Sequence, residues 1–324
     1  MTRLLRLAMA ALVAITALEA PAPAAAQPAY PSRPIHLIVP TPPGGTSDAA
    51  ARLLAQALSK SMGQPFTIEN KPGASGAVAA QALMAAPADG HTLMWTLASM
   101  SGLASVLKSP PYRSLAELTP VSIVCHLEYA MFIHPDVPAT TVAEFVAHAR
   151  AHPDAISYAT GSLGDYMAAT KFFKTTGMRG VRVPYRGGSQ LMPDLASGRV
   201  QLNFGPVSNG LPLAKDGKLR MLAVLQAQRS AVAPSVPTLT ELGIAAVTLP
   251  TWQALFAPAN TPTDVVQRLA KEIALALAEP ALRAQFAQLA VQADGSTPQR
   301  LAEVVARDTQ AWRNFVDEYD IPQE

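Results

Sequence analysis

Cysteine is nearly missing from this sequence: Cys125 is the single one in 324 residues. An intramolecular disulfide is therefore excluded. Cys125 lies in the apolar run from Val121 to Leu127, where it reads as a small buried hydrophobe and not as a nucleophile. Charge is sparse too. Asp, Glu, Lys and Arg make up 15% of the chain and the formal net charge is +2, with no basic cluster, so nucleic-acid binding has no electrostatic footing. No segment stays apolar for the ~20 residues that a membrane-spanning helix needs. There is also no Gly-x-Gly-x-x-Gly, no Gly-Lys-Ser/Thr phosphate loop, no Gly-x-Ser-x-Gly and no His-Glu-x-x-His, which leaves cofactor, nucleotide and common hydrolase chemistries without an anchor. The 6 histidines are scattered, and only His148 and His152 share i,i+4 spacing, with no acidic residue between them; that pair reads as a surface helix, and no metal is assigned. Ser75 or Ser162 can be drawn into a triad with His91 and Asp48, but nothing in the spacing asks for it. No catalytic residue and no cofactor is assigned.

What is present begins with a leader. Arg3 and Arg6 precede an apolar run from Leu7 to Leu18, and the small-residue stretch Pro21 to Ala26 follows. This is the layout of a secretory signal peptide, with Ala24 and Ala26 in the Ala-x-Ala positions, so residues 1–26 are expected to be removed before Gln27 and the mature chain to be periplasmic.

The mature chain is long enough for two domains, and 49% hydrophobic residues suffice for two cores. Ile35 to Val39 reads as a buried strand, followed by Thr41-Pro-Pro-Gly-Gly-Thr-Ser-Asp48 and then a helix with a Thr or Ser cap, Leu54, Ala57 and Leu58 on one stripe and Gly63 as its stop. The alternation repeats with a strand at Phe66 to Glu69, a helix to Ala86 and a strand at Thr92 to Thr96, which points to an α/β fold with mostly parallel sheets. The apolar stretch Val121 to Ile133 is too long for one strand and reads as a strand pair or as a crossing between domains. Beyond it, helix Val142 to His152, strand Ile156 to Ala159, a Gly-rich loop, helix Met167 to Lys174 and strands Val181 to Tyr185, Val200 to Phe204 and Leu219 to Leu225 suggest a second domain. After strand Thr251 to Ala257 the rest is helical. The expected arrangement is a discontinuous first domain, residues 27–127 plus 223–324, and a second of residues 128–222, with a hinged cleft between them.

Two loops stand out. Pro43-Gly-Gly-Thr-Ser-Asp48 joins a strand end to a helix N-terminus, where unpaired N–H groups and the helix dipole favour an anion; alternatively Gly44 and Gly45 only make a tight turn while Thr46, Ser47 and Asp48 cap the helix. Gly161-Ser-Leu-Gly-Asp-Tyr166 has the same setting in the second half. Ligands of open α/β sheets bind outside the carboxyl ends of the strands, so a closed cleft would bring both loops to one small molecule.

With these loops placed, the chain resembles the extracytoplasmic solute receptors of the tripartite tricarboxylate transporter family, also called the Bordetella uptake gene family. The resemblance runs through essentially the whole mature chain. It is carried by Tyr30-Pro-Ser-Arg-Pro-Ile-His-Leu-Ile-Val-Pro40, the Pro-Gly-Gly-x-x-Asp loop ending at Asp48, Glu69-Asn-Lys-Pro-Gly-Ala-Ser-Gly76, Pro87-Ala-Asp-Gly-His-Thr-Leu93, Val183-Pro-Tyr-Arg-Gly187 and Gly217-Lys-Leu-Arg-Met-Leu-Ala-Val224. It implies a type II periplasmic-binding-protein fold and a small carboxylate as ligand. It also implies delivery to a membrane permease of two integral membrane proteins. The receptor itself is expected to be a monomer. Further, it implies that Gly44, Gly45, Thr46, Ser47 and Asp48 in the first loop and Gly161 and Ser162 in the second hold one carboxylate, and that Asn70, Ala74 and Ser99 line the pocket. The chain departs from the family where Tyr166 replaces a common histidine, where Asp165 adds a negative charge, and where Gly205-Pro206 follows a strand that often ends in Asp. Asp165 is therefore expected to receive a ligand amine or hydroxyl. Arg186 and Lys71 either neutralise a second carboxylate or are solvated surface charges. A ligand-sensing partner of a membrane sensor kinase and a secreted hydrolase are the competing functions.

Overall fold

The computed structural model describes residues 30–323 apart from 154, 245, 246 and 248; the leader and its cleavage site lie outside the described residues. In chain order, β1 (Ile35–Val39), α1 (Thr46–Met62), β2 (Phe66–Asn70), α2 (Ala77–Met84), β3 (Thr92–Leu97), the short α3 (Leu103–Val106) and β4 (Thr119–Leu127) come first. Next are β5 (Tyr129–Ile133), α4 (Val142–Ala151), β6 (Ser157–Thr160), α5 (Leu163–Thr176), β7 (Val181–Pro184), α6 (Gly188–Ala196), β8 (Leu202–Pro206), α7 (Val207–Lys215) and β9 (Arg220–Val224). The chain ends with β10 (Trp252–Ala257), α8 (Thr263–Ala278), α9 (Pro280–Gln288), β11 (Val291–Ala293) and α10 (Pro298–Glu318).

The strands form two sheets, one ordered β11-β4-β10-β3-β1-β2 and the other β7-β6-β8-β5-β9. The expected parallel pairing holds within β2-β1-β3 and β7-β6-β8, where helices make the crossovers. The ladders of β10 with β3 and β4, of β11 with β4, and of β5 with β8 and β9 are antiparallel, so each sheet is mixed. The apolar stretch from Val121 to Ile133 resolves into β4 in one sheet and β5 in the other, with Glu128 as the crossing. The Leu127 amide donates to the Thr251 carbonyl at 3.0 Å, so the two passages between the sheets run side by side. Pro237 to Leu239 lie against β9 of the second sheet: the Val224 amide donates to the Pro237 carbonyl and the Leu239 amide donates back to the Val224 carbonyl, both at 2.9 Å.

Helix α1 ends where Gly63 takes φ 70°, the left-handed stop that glycine adopts without strain. Its start differs from the expectation. The N-cap is Gly45, in extended backbone, and no side chain caps the helix. In the second sheet's half, α5 begins at Leu163 with Ser162 as its cap, so Asp165 and Tyr166 sit in its first turn and not in a loop. Helices α6 and α7, absent from the sequence expectation, each carry a proline after the first turn, Pro193 and Pro212, which locally reads as a breaker.

Candidate functional site

The β1–α1 loop is built by a carboxylate. Asp48, buried, accepts from the Gly44 amide at 3.0 Å with Oδ2 and from Asn70 Nδ2 at 2.8 Å with Oδ1. Arg52 Nε donates to the same Oδ2 at 3.0 Å, and Asn70 Nδ2 also holds the Thr41 carbonyl at 3.0 Å. Burial by itself raises the Asp48 pKa, but the hydrogen bonds from Arg52, Gly44 and Asn70 outweigh it and hold the carboxyl below its ordinary value. Asp48 and Asn70 thus shape the loop from behind, and Gly44 is needed there for its φ of 84°.

The loop before α5 repeats this staple. Asp165 Oδ2 accepts from the Gly161 amide at 2.7 Å and Oδ1 accepts from Ser162 Oγ at 2.6 Å, while the Asp165 amide donates to Ser162 Oγ at 3.2 Å. The four-residue reach is the same as from Gly44 to Asp48, but no arginine takes the place of Arg52. Burial dominates, and the Asp165 pKa is pushed up to about 6 although Ser162, Gly161 and Asn203 oppose it. The Gly161 amide and the Ser162 hydroxyl are therefore spent on the second loop's own carboxylate, and Ser162 caps α5, whereas Gly45 gives α1 no side-chain cap.

Ser47 has its direction of donation fixed. The Trp95 indole N–H donates to Gln253 Oε1 at 2.7 Å, and Gln253 Nε2 donates to Ser47 Oγ at 2.7 Å. Indole can only donate, so it orients the amide, which makes Ser47 the acceptor and leaves the hydroxyl proton for the cleft. All three residues are buried.

The cleft between the sheets has two compartments that share Thr41, Leu97, Gly161 and Ser162. The inner one is lined by Gly45, Thr46, Ser47 and Ser99 on one side and by Gly161, Ser162, Asp165 and Asn203 on the other. Its cavity volume is about 50 Å³, against about 440 Å³ for the outer compartment, so in this closed arrangement the inner one is narrow. The outer one is bordered by Ala74, Arg182 and Arg186. Arg186 is exposed, and Arg182 lies over the Tyr166 ring at 4.0 Å. Gly44, Asp48, Asn70 and Tyr166 line neither compartment. Lys71 pairs with Glu69 at 2.6 Å.

The cleft is bridged. Ser208 Oγ lies 2.5 Å from Thr46 Oγ1, and Thr46 donates to Asn209 Oδ1 through its hydroxyl at 2.9 Å and its amide at 3.3 Å. Neither Ser208 nor Asn209 was expected from sequence. Gln253 and Asn203 were also missed, although a lone amide inside an apolar strand was the available signal. The hydrolytic triad is not assembled: Asp48 serves Arg52 and Asn70, His91 packs against Tyr30 and approaches Asp89, and Ser162 serves Asp165.

Residues 50–321 match the family model described as the tripartite tricarboxylate transporter family receptor. The chain belongs to that receptor family. The receptor is 33% identical over 294 residues to Protein BugT of Bordetella pertussis, covering 89% of this chain and 90% of BugT. Among solved structures, R. palustris Rpa4515 with adipate is similar at 29% identity and a TM-score of 0.87, covering 91% of this chain and 100% of that one. MatC of Rhodopseudomonas palustris with bound malate is similar at 26% identity and a TM-score of 0.83, covering 89% and 100%. Periplasmic binding protein BugD is similar at 26% identity and a TM-score of 0.86. The receptor thus has the two-sheet α/β fold of type II periplasmic binding proteins.

Proposed function

We propose that the receptor works in the periplasm, binding a small carboxylate in the inner compartment and presenting the closed complex to a membrane permease of two integral membrane proteins. The observation that carries this reading is the N-terminus of α1, which its N-cap residue Gly45 leaves without a side-chain cap, beside a Ser47 hydroxyl that accepts from Gln253 and so keeps its proton to donate, since first-turn N–H groups and a hydroxyl donor are complementary to a carboxylate. The solute-receptor family and the adipate- and malate-bound relatives support it. In this reading the chain forms two hinged lobes, the first from residues up to 127 and from about 252 onward, the second from about 128 to 250. The lobes close by hinge motion at the paired crossings, and a ligand that contacts both favours the closed state.

A thermal-shift screen against mono-, di- and tricarboxylates tests this. An acid at about 100 times its Kd adds about 2.7 kcal/mol, a rise of roughly 5 °C. Gly45→Asp is the control. Gly45 has φ −85° and only the Pro42 carbonyl, 4.0 Å away, near an added Cβ, and Asp is a good N-cap. The variant is expected to fold and to lose the shift because its own carboxylate takes the helix terminus. A shift that survives in Gly45→Asp contradicts the reading.

The orientation of Ser47 gives a second expected result. Trp95→Phe frees the Gln253 amide to turn over and should weaken the bound acid by about threefold to tenfold, the range of one hydrogen bond. In a Ser47→Ala background the same change should cost no further affinity. Equal losses in both backgrounds would mean that Trp95 acts through packing alone.

A further inference from the structure

The inner compartment has a donor side and an acceptor side. Ser47 and the α1 terminus donate from the first lobe, the Thr46 amide and hydroxyl being taken by Asn209 across the cleft. From the second lobe comes Asn203, 1% exposed, on β8. Asn203 Nδ2 donates to the Ala159 carbonyl at 3.0 Å and the Phe204 carbonyl at 3.3 Å. Both partners only accept, so the amide cannot be turned over, and Oδ1 is left as a buried acceptor without a partner among the described residues. Gly205 keeps that oxygen uncovered on its own strand, since a Cβ there would fall 2.5 Å from Oδ1. Beside Asn203 stands Asp165, the single ionisable carboxyl among the described lining residues, which include no Lys, Arg or His. A ligand group carrying a polar hydrogen satisfies Asn203 and is favoured by Asp165.

We propose that the ligand carries, besides the carboxylate held at α1, a hydroxyl, amide or ammonium donor that is received by Asn203 Oδ1. This rests on the carboxylate reading above and narrows its substrate class to carboxylates bearing a hydrogen-bond donor. A buried acceptor that a ligand fails to satisfy is the setting in which binding sites discriminate strongly.

The test compares acids that share a skeleton: propionate, lactate and alanine; succinate, malate and aspartate. Calorimetric titration of the purified chain is expected to show, in at least one series, a hydroxy or amino acid binding at least about tenfold tighter than its unsubstituted parent. Gly205→Ala, whose methyl would fall 2.5 Å from Oδ1 and so must either cover or displace it, should cut that preference to about threefold or less with little change for the parent. Asn203→Leu should remove it, and Gly205→Ala decides the matter where Asn203→Leu does not fold. If the acids bind but the parents bind as tightly as their substituted forms, the donor requirement is overturned while the carboxylate reading stands. A preference that persists in both variants overturns the role of Asn203. If none of the six acids binds and the wider screen is also negative, the carboxylate reading fails and this inference with it.

Discussion

Valine in place of Gly187 is expected to weaken carboxylate binding about 100-fold or more while leaving the unfolding midpoint within about 1 °C. Gly187 precedes α6 in the second lobe, and Pro42 belongs to the β1–α1 loop of the first. A Cβ built on Gly187 would lie 2.6 Å from Pro42 Cδ and 3.2 Å from Cγ, contacts that a rigid pyrrolidine ring cannot yield to. The φ of Gly187 is 164°, extended backbone open to any residue, so the substitution strains no local conformation. The clash exists only across the cleft and vanishes when the lobes part. A side chain there acts as a wedge, removing the closed state and with it the simultaneous contact of a ligand with α1 and the second lobe. Disfavouring closure by about 3 kcal/mol lowers apparent affinity by a factor on the order of 10². Calorimetric titration and thermal unfolding check the two halves of the expectation. Unchanged affinity would show that closure is not part of binding.

How much of this was readable in advance depended on whether a feature was local. The strand, loop and glycine stop of the first unit are set by neighbours in sequence, and β1, α1 and Gly63 fell where the pattern put them. The cap did not, because the Thr46 hydroxyl turns away from its own helix to meet Ser208 and Asn209, more than 160 residues on. The antiparallel ladders were hidden for the same reason: β10 enters the first sheet from the far end of the chain, and its direction is set by the return crossing at Thr251. Glycine-rich signatures fell at two strand-to-helix junctions that line the inner compartment. They did not reveal that the second loop spends its Gly161 amide and Ser162 hydroxyl on Asp165, since the two staples share one spacing and differ in partners, Arg52 and Asn70 on Asp48 and Ser162 on Asp165. Gln253 and Asn203 read as single polar residues in apolar strands, and only the positions of Trp95, Ala159 and Phe204 show which way each amide must face.

That difference between the two staples sets the largest expected effect on stability. Replacing Asp165 with Asn should stabilise the receptor by about 2–3 kcal/mol relative to the parent at pH 7.5, and by much less at pH 4.5. The Asp165 carboxyl titrates at about 6 in the folded chain against an ordinary value of 3.8. Its stabilising contribution, taken relative to the ionised form, is therefore fully present below pH about 4 and is lost as pH rises through about 6. Burial is the leading cause, and each pK unit corresponds to about 1.4 kcal/mol. Asparagine keeps an acceptor for the Gly161 amide and offers its own N–H to Ser162 Oγ, so the loop geometry survives without a buried charge. Asp48 works with the opposite sign. Its lowered pKa gives stability above the unfolded value that is lost as pH falls, and because both chains carry it, the difference between the two urea-unfolding curves isolates Asp165. A difference independent of pH would mean that Asp165 stays ionised throughout, held by a partner other than Gly161 and Ser162. A second consequence reaches the ligand. With the substituted amide donating to Ser162 Oγ, the Ser162 proton is released toward the inner compartment. The Asp165→Asn variant should then bind acids without an extra donor less weakly than the parent receptor does, while the preference set by Asn203 Oδ1 remains.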